Sequence, residues 1–376
     1  MKDRKFIGHF SLLICLVLGF SLFVILGSSI IEAQEKVFEL KVQSVFALDT
    51  QDSLSALNTL RRIEEVSNGR LKLTPLLSPG TLCEATDMLD AVETGVLDIG
   101  YTWPGYWVGK NSAFTLFASV TGGPFGMSTF DFWGWMTFGG GNKFHEELYK
   151  KIGYQNIKPF AAKLEVGEAM GWFTKPLNSL EDCKGIKVRA AGLGAVGYKE
   201  AGMNVTMVAG PEIVSALERK IIDAAEYGDL RAEKNMGFQE FAKYLHVPGY
   251  HQPTGFMGFL VNKQVWEKLP ADLQKIFEVV CNEMLMYNVL EEYRDQAEIM
   301  KWFEEEHDVK IVKTPNEVAE AFLKGWEKFA EEEVKKNPNF AEIYESQKAY
   351  AEKVVPCMKK LVPDYSFLAD YYWPEN

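Results

Sequence analysis

Four polar residues follow short apolar runs of the sequence, at positions where strands of an α/β protein end. Arg189 closes the run "IKVR" and Glu226 follows "IIDAA", while Glu168 and Gln252 come at two further predicted strand ends. Ligands of open α/β sheets collect at the carboxyl ends of strands, and such ends from two lobes face a common cleft. The four side chains are therefore candidates for one ligand site.

The charges of these residues allow several kinds of chemistry. Glu226 can form a structural ion pair with Arg189, because an unpaired buried carboxylate is strongly destabilising. Alternatively, Glu226 and Glu168 hold a hard cation through their oxygens while Arg189 binds an anion beside it. Two glutamates can also act as the acid and base of a glycosidase. The flanking residues do not favour catalysis over binding.

Composition and motifs argue against other classes of protein. The 376 residues carry a formal net charge of -12 and no basic stripe, which argues against a nucleic-acid partner. The sequence contains no HExxH, no GxSxG, no Walker loop and no GxGxxG after a strand. Its 5 histidines do not cluster along the chain, so a transition-metal site is not expected.

The N-terminus has the layout of an export signal. Basic residues in "MKDRKFIGHF" precede the apolar run "SLLICLVLGFSLFVILGSSII", and polar sequence resumes at "EAQEKVFEL". Residues 1–33 are therefore expected to be a signal peptide or, since the apolar run is long, an uncleaved membrane anchor. Both alternatives place the rest of the chain outside the inner membrane.

Beyond this leader the pattern predicts an α/β protein. "FELKVQSVF" alternates like a strand, "DSLSALNTLRRIEEVSNGRLKLTPL" is typical of a helix that ends at Asn68 and Gly69 before a second strand, and "CEATDMLDAVETGVLDIGY" adds a helix and a strand. The segments "AVETGVLDIGY" and "ALERKIIDAAEY" share one plan, which indicates two lobes built alike. From Pro270 onward the spacing of apolar residues predicts long helices.

Taken together, these segments resemble the extracytoplasmic solute-binding proteins of TRAP (tripartite ATP-independent periplasmic) transporters, the DctP-type family. The resemblance lies in "IEEVSNGRLKL", "LDAVETGVLDIGYT", "YWVGKNSAF", "LEDCKGIKVRAAG" and "SALERKIIDAAEYG", which come in the family's order. It implies a two-lobed α/β periplasmic binding protein of the Venus-flytrap type, with a hinge and a long C-terminal helical extension. It also implies a binding protein of the periplasm and not an enzyme.

Within that family a strand arginine binds the carboxylate of the ligand, which is what the resemblance implies for Arg189. "GEAMGWF", "AAEYG" and "VPGYHQP" are most similar to a branch that binds 2-oxo or 2-hydroxy monocarboxylates together with a cation. Glu226 matches that branch. Glu168 stands where a glutamine is usual, Gln252 where a glutamate is usual, and Tyr227 where a tryptophan is usual. The first two changes leave the number of carboxylates unchanged.

The resemblance thus implies a sodium or calcium ion beside the ligand, because two carboxylates near one arginine would otherwise repel an incoming acid. The predicted ligands of the ion are Glu226, Glu168, Gln252 and the backbone oxygen of Tyr227. The predicted contacts of the organic acid are Arg189, Glu168, Tyr227, Gln252 and Tyr106, the last of these in "YWVGKNSAF".

The domain boundaries are predicted from the same resemblance. Lobe one is expected at 36–165 plus 253–290, lobe two at 166–252 plus 291–340, and a helical dimerisation extension at 341–376. The predicted partners are a small carboxylate, the membrane permease subunits of a TRAP transporter and a second copy of the chain. Two other classes stay open, namely a ligand-binding sensor module and a secreted metal-dependent hydrolase.

Overall fold

The computed structural model describes residues 36–118, 120–208 and 210–374. The predicted leader at 1–33 lies outside these residues. The compact body of the chain begins at Glu39. None of the helices in the described part combines the length and the apolar composition that a membrane span requires.

Strands and helices alternate through most of the body. The strands are β1 (Phe38–Glu39), β2 (Val42–Ser44), β3 (Leu71–Lys72), β4 (Ile99–Thr102), β5 (Ile157–Glu165), β6 (Gly171–Phe173), β7 (Lys187–Arg189), β8 (Asn204–Thr206), β9 (Ala224–Ala225), β10 (Tyr244–Val247), β11 (Gly255–Asn262) and β12 (Lys310–Lys313). The helices are α1 (Gln51–Val66), α2 (Met88–Thr94), α3 (Thr115–Ala118), α4 (Thr129–Phe138), α5 (Gly141–Lys151), α6 (Ala195–Glu200), α7 (Ile213–Glu218), α8 (Leu230–Met236), α9 (Lys263–Lys268), α10 (Ala271–His307), α11 (Asn316–Lys336), α12 (Pro338–Leu361) and α13 (Tyr365–Tyr372).

One sheet has the strand order β2, β4, β11, β5. β2 and β4 are parallel, whereas β11 is antiparallel to both β4 and β5. The strand predicted directly after Asn68 and Gly69 is β3, which lies in a separate two-stranded sheet. α1 ends where the sequence predicts, because Asn68 and Gly69 both adopt positive φ, at 52° and 74°. All eight residues of β11 are buried, which fits its place in the interior of the sheet. The sheet is therefore mixed rather than the parallel layer that the N-terminal pattern alone predicts.

The other large sheet has the order β12, β10, β6, β9, β7, β8. β7 is parallel to β8 and β9, and Arg189 pairs with Ala225 in the register. The residues that follow β7 and β9 consequently leave the sheet at the same edge. The internal echo of the sequence is confirmed, since α2 with β4 and α7 with β9 repeat one helix-strand plan, once in each sheet.

The helix α10 belongs to the cores of both sheets. Its earlier part buries Phe277, whose ring lies 5.1 Å from that of Phe160 on β5. Asn288 then donates to the backbone oxygen of Ala162 at 2.9 Å. Phe303, near the end of α10, packs 4.7 Å from Trp172 in the second sheet. One continuous helix therefore ties the two sheets together on one side of the molecule.

The predicted C-terminal extension is partly core. Phe340, Ile343 and Ala351 of α12 are buried in the cluster that packs beneath the first sheet, and Gln347 donates to the backbone oxygen of Leu116 at 2.7 Å. The helical spacing of apolar residues over 339–362 predicts an exposed stripe that mediates a dimer, with Phe340 and Ile343 as part of it. For these two residues the prediction is wrong, because such a spacing does not tell which body the residues contact. From Leu361 onward the apolar side chains are exposed.

The substitution Phe340→Ala should lower the free energy of unfolding by about 3–5 kcal/mol, since Phe340 is fully buried and its removal leaves a cavity. Phe367→Ala is the matched control, because Phe367 is 68% exposed and its loss should change stability by less than about 0.5 kcal/mol. Urea denaturation of both variants measures the difference. Equal effects would show that α12 does not pack as described.

Candidate ligand and cation site

Arg189 is held at the end of β7 by partners from its own lobe. Its Nη1 donates to Oε1 of Glu226 at 3.0 Å and also to the backbone oxygen of Glu226, while its Nε donates to the backbone oxygen of Val208 at 3.2 Å. The ion pair between Arg189 and Glu226 is therefore present. Among the residues that the structure describes, Nη2 is the nitrogen of the guanidinium that has no protein partner.

Glu226 follows β9 and is nearly enclosed, with about one tenth of its side chain exposed. Besides Arg189, its Oε1 accepts from the backbone N–H of Ala191 at 2.7 Å. Two donors on one oxygen fix the carboxylate in place. Glu226 thus forms one wall of the site with an orientation that the sheet itself determines.

Gln252 bridges the buried Glu165 and the partly buried Glu168. Its Nε2 donates to Glu168 at 3.0 Å and to Glu165 at 3.2 Å, and Glu165 also accepts from the indole of Trp103 at 3.3 Å. Burial, and next the charge of Glu168, raises the pKa of Glu165 well above its ordinary value. In this arrangement Gln252 presents its amide nitrogen to the carboxylates rather than the oxygen that we predicted as a cation ligand.

His251 completes the group, and the sequence analysis missed it. Its Nε2 lies 3.6 Å from Oε2 of Glu168, and ligand atoms of Glu168, Glu226 and His251 all lie within 4.8 Å of one another. Burial lowers the pKa of His251, but the nearby carboxylates of Glu168 and Glu226 outweigh it and raise the pKa above its ordinary value. The sequence feature that could have identified His251 is its position directly before Gln252, which is a predicted site residue.

All six predicted site residues line one cleft of about 420 Å³, namely Tyr106, Glu168, Arg189, Glu226, Tyr227 and Gln252. The ring of Tyr227 lies 5.3 Å from Cζ of Arg189. Tyr106 and Tyr227 are both about two-fifths exposed, so each can contact a ligand in the cleft. The further lining residues include Phe46, Thr50, Asp52, Trp103, Met207 and Met257. The roles of these residues in binding stay predictions.

Further buried carboxylates lie in and next to the cleft, and two of them, Asp52 and Asp229, line it. Lys163 binds Asp52 at 2.6 Å and Glu292 at 3.0 Å, and all three side chains are almost completely buried. Asp229 caps α8 by accepting from the backbone N–H of Ala232 at 2.8 Å. Burial, and next the charge of Asp52, raises the pKa of Asp229 to about 7. The region therefore carries more buried negative charge than its own cations neutralise.

The chain belongs to the DctP family of bacterial extracellular solute-binding proteins, family 7, whose model matches residues 44–337. The resemblance drawn from the sequence is thus confirmed. Members of this family bind and deliver solutes and are not classed as enzymes.

Individual relatives and solved structures show which members of the family this chain is similar to. A monocarboxylate 2-oxoacid-binding periplasmic protein of Nostoc sp. is 30% identical over 303 residues, which are 80% of each chain. A TRAP transporter solute-binding protein of Bordetella bronchiseptica, a mixed-occupancy dimer with calcium and picolinate, matches with a TM-score of 0.80 and 25% identity over 90% of this chain and 99% of that one. A TRAP periplasmic solute-binding protein of Pseudoalteromonas atlantica with sodium and pyruvate matches with a TM-score of 0.77 and 28% identity over 89% and 99%. The predicted fold, a two-lobed α/β binding protein with a long C-terminal helix, is confirmed by this likeness.

The variant Asp229→Asn should be more stable than the natural chain by about 2–4 kcal/mol at pH 8 and by much less at pH 4. The folded-state pKa of Asp229 is raised, so its stabilising contribution is complete only below its ordinary pKa and is lost as the pH rises to about 7. Asparagine cannot ionise and still caps the helix.

Urea denaturation at several pH values in chelator-containing buffer measures this dependence. Asp49→Asn is the control, because Asp49 is exposed. A stability difference for Asp229→Asn that does not grow between pH 4 and pH 7 would contradict the prediction.

Proposed function

We propose that this chain is the solute-binding subunit of a TRAP transporter. It captures a small 2-oxo or 2-hydroxy monocarboxylate in the cleft beside Arg189, together with a sodium or calcium ion, and delivers the acid from the periplasm to a membrane permease. The observation that carries the proposal is the juxtaposition of the open Nη2 of Arg189 with the group formed by Glu168, Glu226 and His251. Relatives that hold pyruvate with sodium, or picolinate with calcium, support it.

The carboxylate of the proposed ligand contacts one nitrogen of the Arg189 guanidinium. Nε and Nη1 are engaged by Val208 and Glu226, so the carboxylate of the acid contacts Nη2 rather than a two-nitrogen fork. The partners of Nε and Nη1 hold the guanidinium plane in a fixed orientation, which lowers the entropy cost of binding. The exposed edges of Tyr106 and Tyr227 then close over the organic part of the ligand.

The proposed cation offsets the negative charge of the carboxylates in the cleft. Glu168 and Glu226 face one arginine, so with His251 in its neutral form an incoming anion meets net repulsion unless a positive ion is bound as well. The two carboxylates supply oxygen ligands of the kind that sodium and calcium take. The 2-oxo or 2-hydroxy oxygen of the acid gives the ion a further oxygen, which couples binding of the ion to binding of the acid.

The lobes proposed to close on the ligand are 36–165 plus 253–290 and 166–252 plus 291–340. The first set contains the strands of the four-stranded sheet and the second those of the six-stranded sheet. Arg231 of α8 donates to Gln51 of α1 at 3.0 Å, a contact between the two sets. A ligand that contacts both sets favours the closed form.

A role without catalysis fits the same site. A metal-dependent hydrolase needs a positioned water and a free base, whereas the carboxylates here are already engaged by Arg189, Gln252 and His251. A sensor module would use the same cleft with another partner, and co-purification with the permease subunits separates the two classes. Incubation with candidate esters without product formation weighs against the hydrolase.

Calorimetry on chelator-treated protein tests the proposal. Pyruvate and longer 2-oxo acids should bind at least about tenfold more tightly when sodium or calcium is restored, and binding should raise the melting temperature. Affinity that is identical with and without either ion would overturn the cation, and failure of every 2-oxo and 2-hydroxy acid to bind would overturn the ligand class.

Arginine variants provide the controls for the same titration. Arg189→Lys keeps the charge but loses the fixed orientation of Nη2, and it should weaken acid binding by about 2–5 kcal/mol. Arg219→Lys alters an exposed arginine and should bind like the natural chain.

The exposed C-terminal segment is proposed to form a homodimer. From Leu361 to Trp373 it carries Leu361, Val362, Tyr365, Phe367, Tyr371, Tyr372 and Trp373, each about half exposed or more. An apolar surface of this kind on one continuous segment is typical of an interface. The dimeric state of the Bordetella bronchiseptica relative supports a second copy as the partner.

Truncation after Leu361 should convert the dimer to a monomer, as measured by light scattering. This cut preserves Phe340 and Ile343, which belong to the core, so the shortened chain should keep its melting temperature. The matched full-length control replaces exposed Lys353 by alanine and should stay dimeric. An unchanged mass after truncation would show that the segment does not mediate assembly.

A further inference from the structure

The imidazole of His251 has a buried nitrogen that its surroundings do not satisfy. Only 4% of the side chain is exposed, and Nε2 has no hydrogen-bond partner within the described part of the chain. Nε2 lies 3.6 Å from Oε2 of Glu168, beyond hydrogen-bond distance, and faces the space between Glu168 and Glu226. A buried polar atom without a hydrogen-bond partner destabilises the folded protein. Because Nε2 points into this space, we expect a bound atom or ion there to be its partner.

The surroundings of His251 hold the ring in this direction. Thr121 donates to the backbone oxygen of His251 at 3.4 Å, and the backbone N–H of Gly122 donates to Tyr250 at 2.8 Å. The ring packs against the backbone of Gly194, where an added Cβ would lie 3.3 Å from Cδ2 of the imidazole. The ring therefore has little freedom to turn towards another partner.

The hydrogen bond on the other side of the ring determines where the proton of the neutral imidazole lies. The hydroxyl of Tyr198 donates to the backbone oxygen of Met170, and a carbonyl can only accept. The phenolic oxygen must then accept from Nδ1 of His251, 3.4 Å away. With its proton on Nδ1, the neutral ring presents the lone pair of Nε2 to the two glutamates, which is the arrangement of a metal-binding histidine.

We propose that Nε2 of His251 is a direct ligand of the cation, together with the carboxylates of Glu168 and Glu226. The nitrogen makes the site prefer a divalent transition ion such as zinc to sodium and calcium. Sodium and calcium sites are built from oxygen, whereas imidazole suits zinc and related ions. This inference rests on the proposed function that the cleft holds a cation, and it adds a ligand and an order of affinities.

Calorimetry of chelator-treated protein with zinc and with calcium, each without organic acid, measures the order of affinities. The natural chain should bind one zinc ion at least about tenfold more tightly than calcium. His251→Gln should lose about tenfold or more of the zinc affinity while its calcium affinity changes by less than about threefold. His307→Gln is the matched control, because it removes an imidazole at the far end of α10 and should leave both affinities unchanged.

Pulsed electron paramagnetic resonance of the natural chain with one equivalent of manganese tests the contact without relying on a variant. Coupling to an imidazole nitrogen should be present in the natural chain and in His307→Gln and absent in His251→Gln. If calcium binds as tightly as zinc and no nitrogen coupling is seen, His251 is only a charge partner of Glu168, and the inference fails while the proposed function stands. If no ion binds, even with a 2-oxo acid present, both fail.

Discussion

Buried negative charge around the cleft is the constraint on which the rest of the structure depends. Arg189 pairs with Glu226, and Lys163 pairs with both Asp52 and Glu292 although it carries charge for only one of them, in both cases at close range and almost without solvent. Such pairs are tolerated only when the geometry is good and the remaining lone pairs are satisfied. Within the part of the chain that the structure describes, Glu168 faces His251 and the amide of Gln252 rather than a lysine or an arginine. A site with this balance attracts a mobile cation, and an organic anion can then enter beside it.

The fold supplies this charge arrangement by bringing strand ends together. Arg189 and Ala225 are register neighbours, so the residue after β9 emerges next to the arginine and the backbone of Ala191. The loop before β11 brings His251 and Gln252 to the same place from a distant part of the sequence. α10 packs against both sheets and so connects them on one side.

The polar floor and the aromatic rim of the cleft differ in how deeply their side chains are buried. The polar floor is preorganised, since Arg189, Glu226 and His251 are each buried and held by backbone partners. The aromatic rim, with Tyr106 and Tyr227, is more exposed. A preorganised polar floor binds charge at low entropic cost. The more exposed rim leaves the rings of Tyr106 and Tyr227 accessible from the cleft.

The sequence by itself determined the family, the helix-strand order and the positions of Arg189 and Glu226 at strand ends, because apolar runs, glycine turns and local motifs are properties of neighbouring residues. It did not identify His251 as part of the site, since a single histidine gains a metal-binding environment only when Glu168 and Glu226 are folded against it. Nor did it show that Phe340 and Ile343 face the chain's own core, because an amphipathic helix presents the same pattern to any apolar surface. Tertiary structure alone decided which charges pair, which nitrogen of His251 faces the cleft and which half of α12 is covered. The reason is that burial, and the distances between residues remote in sequence, exist only in the folded chain.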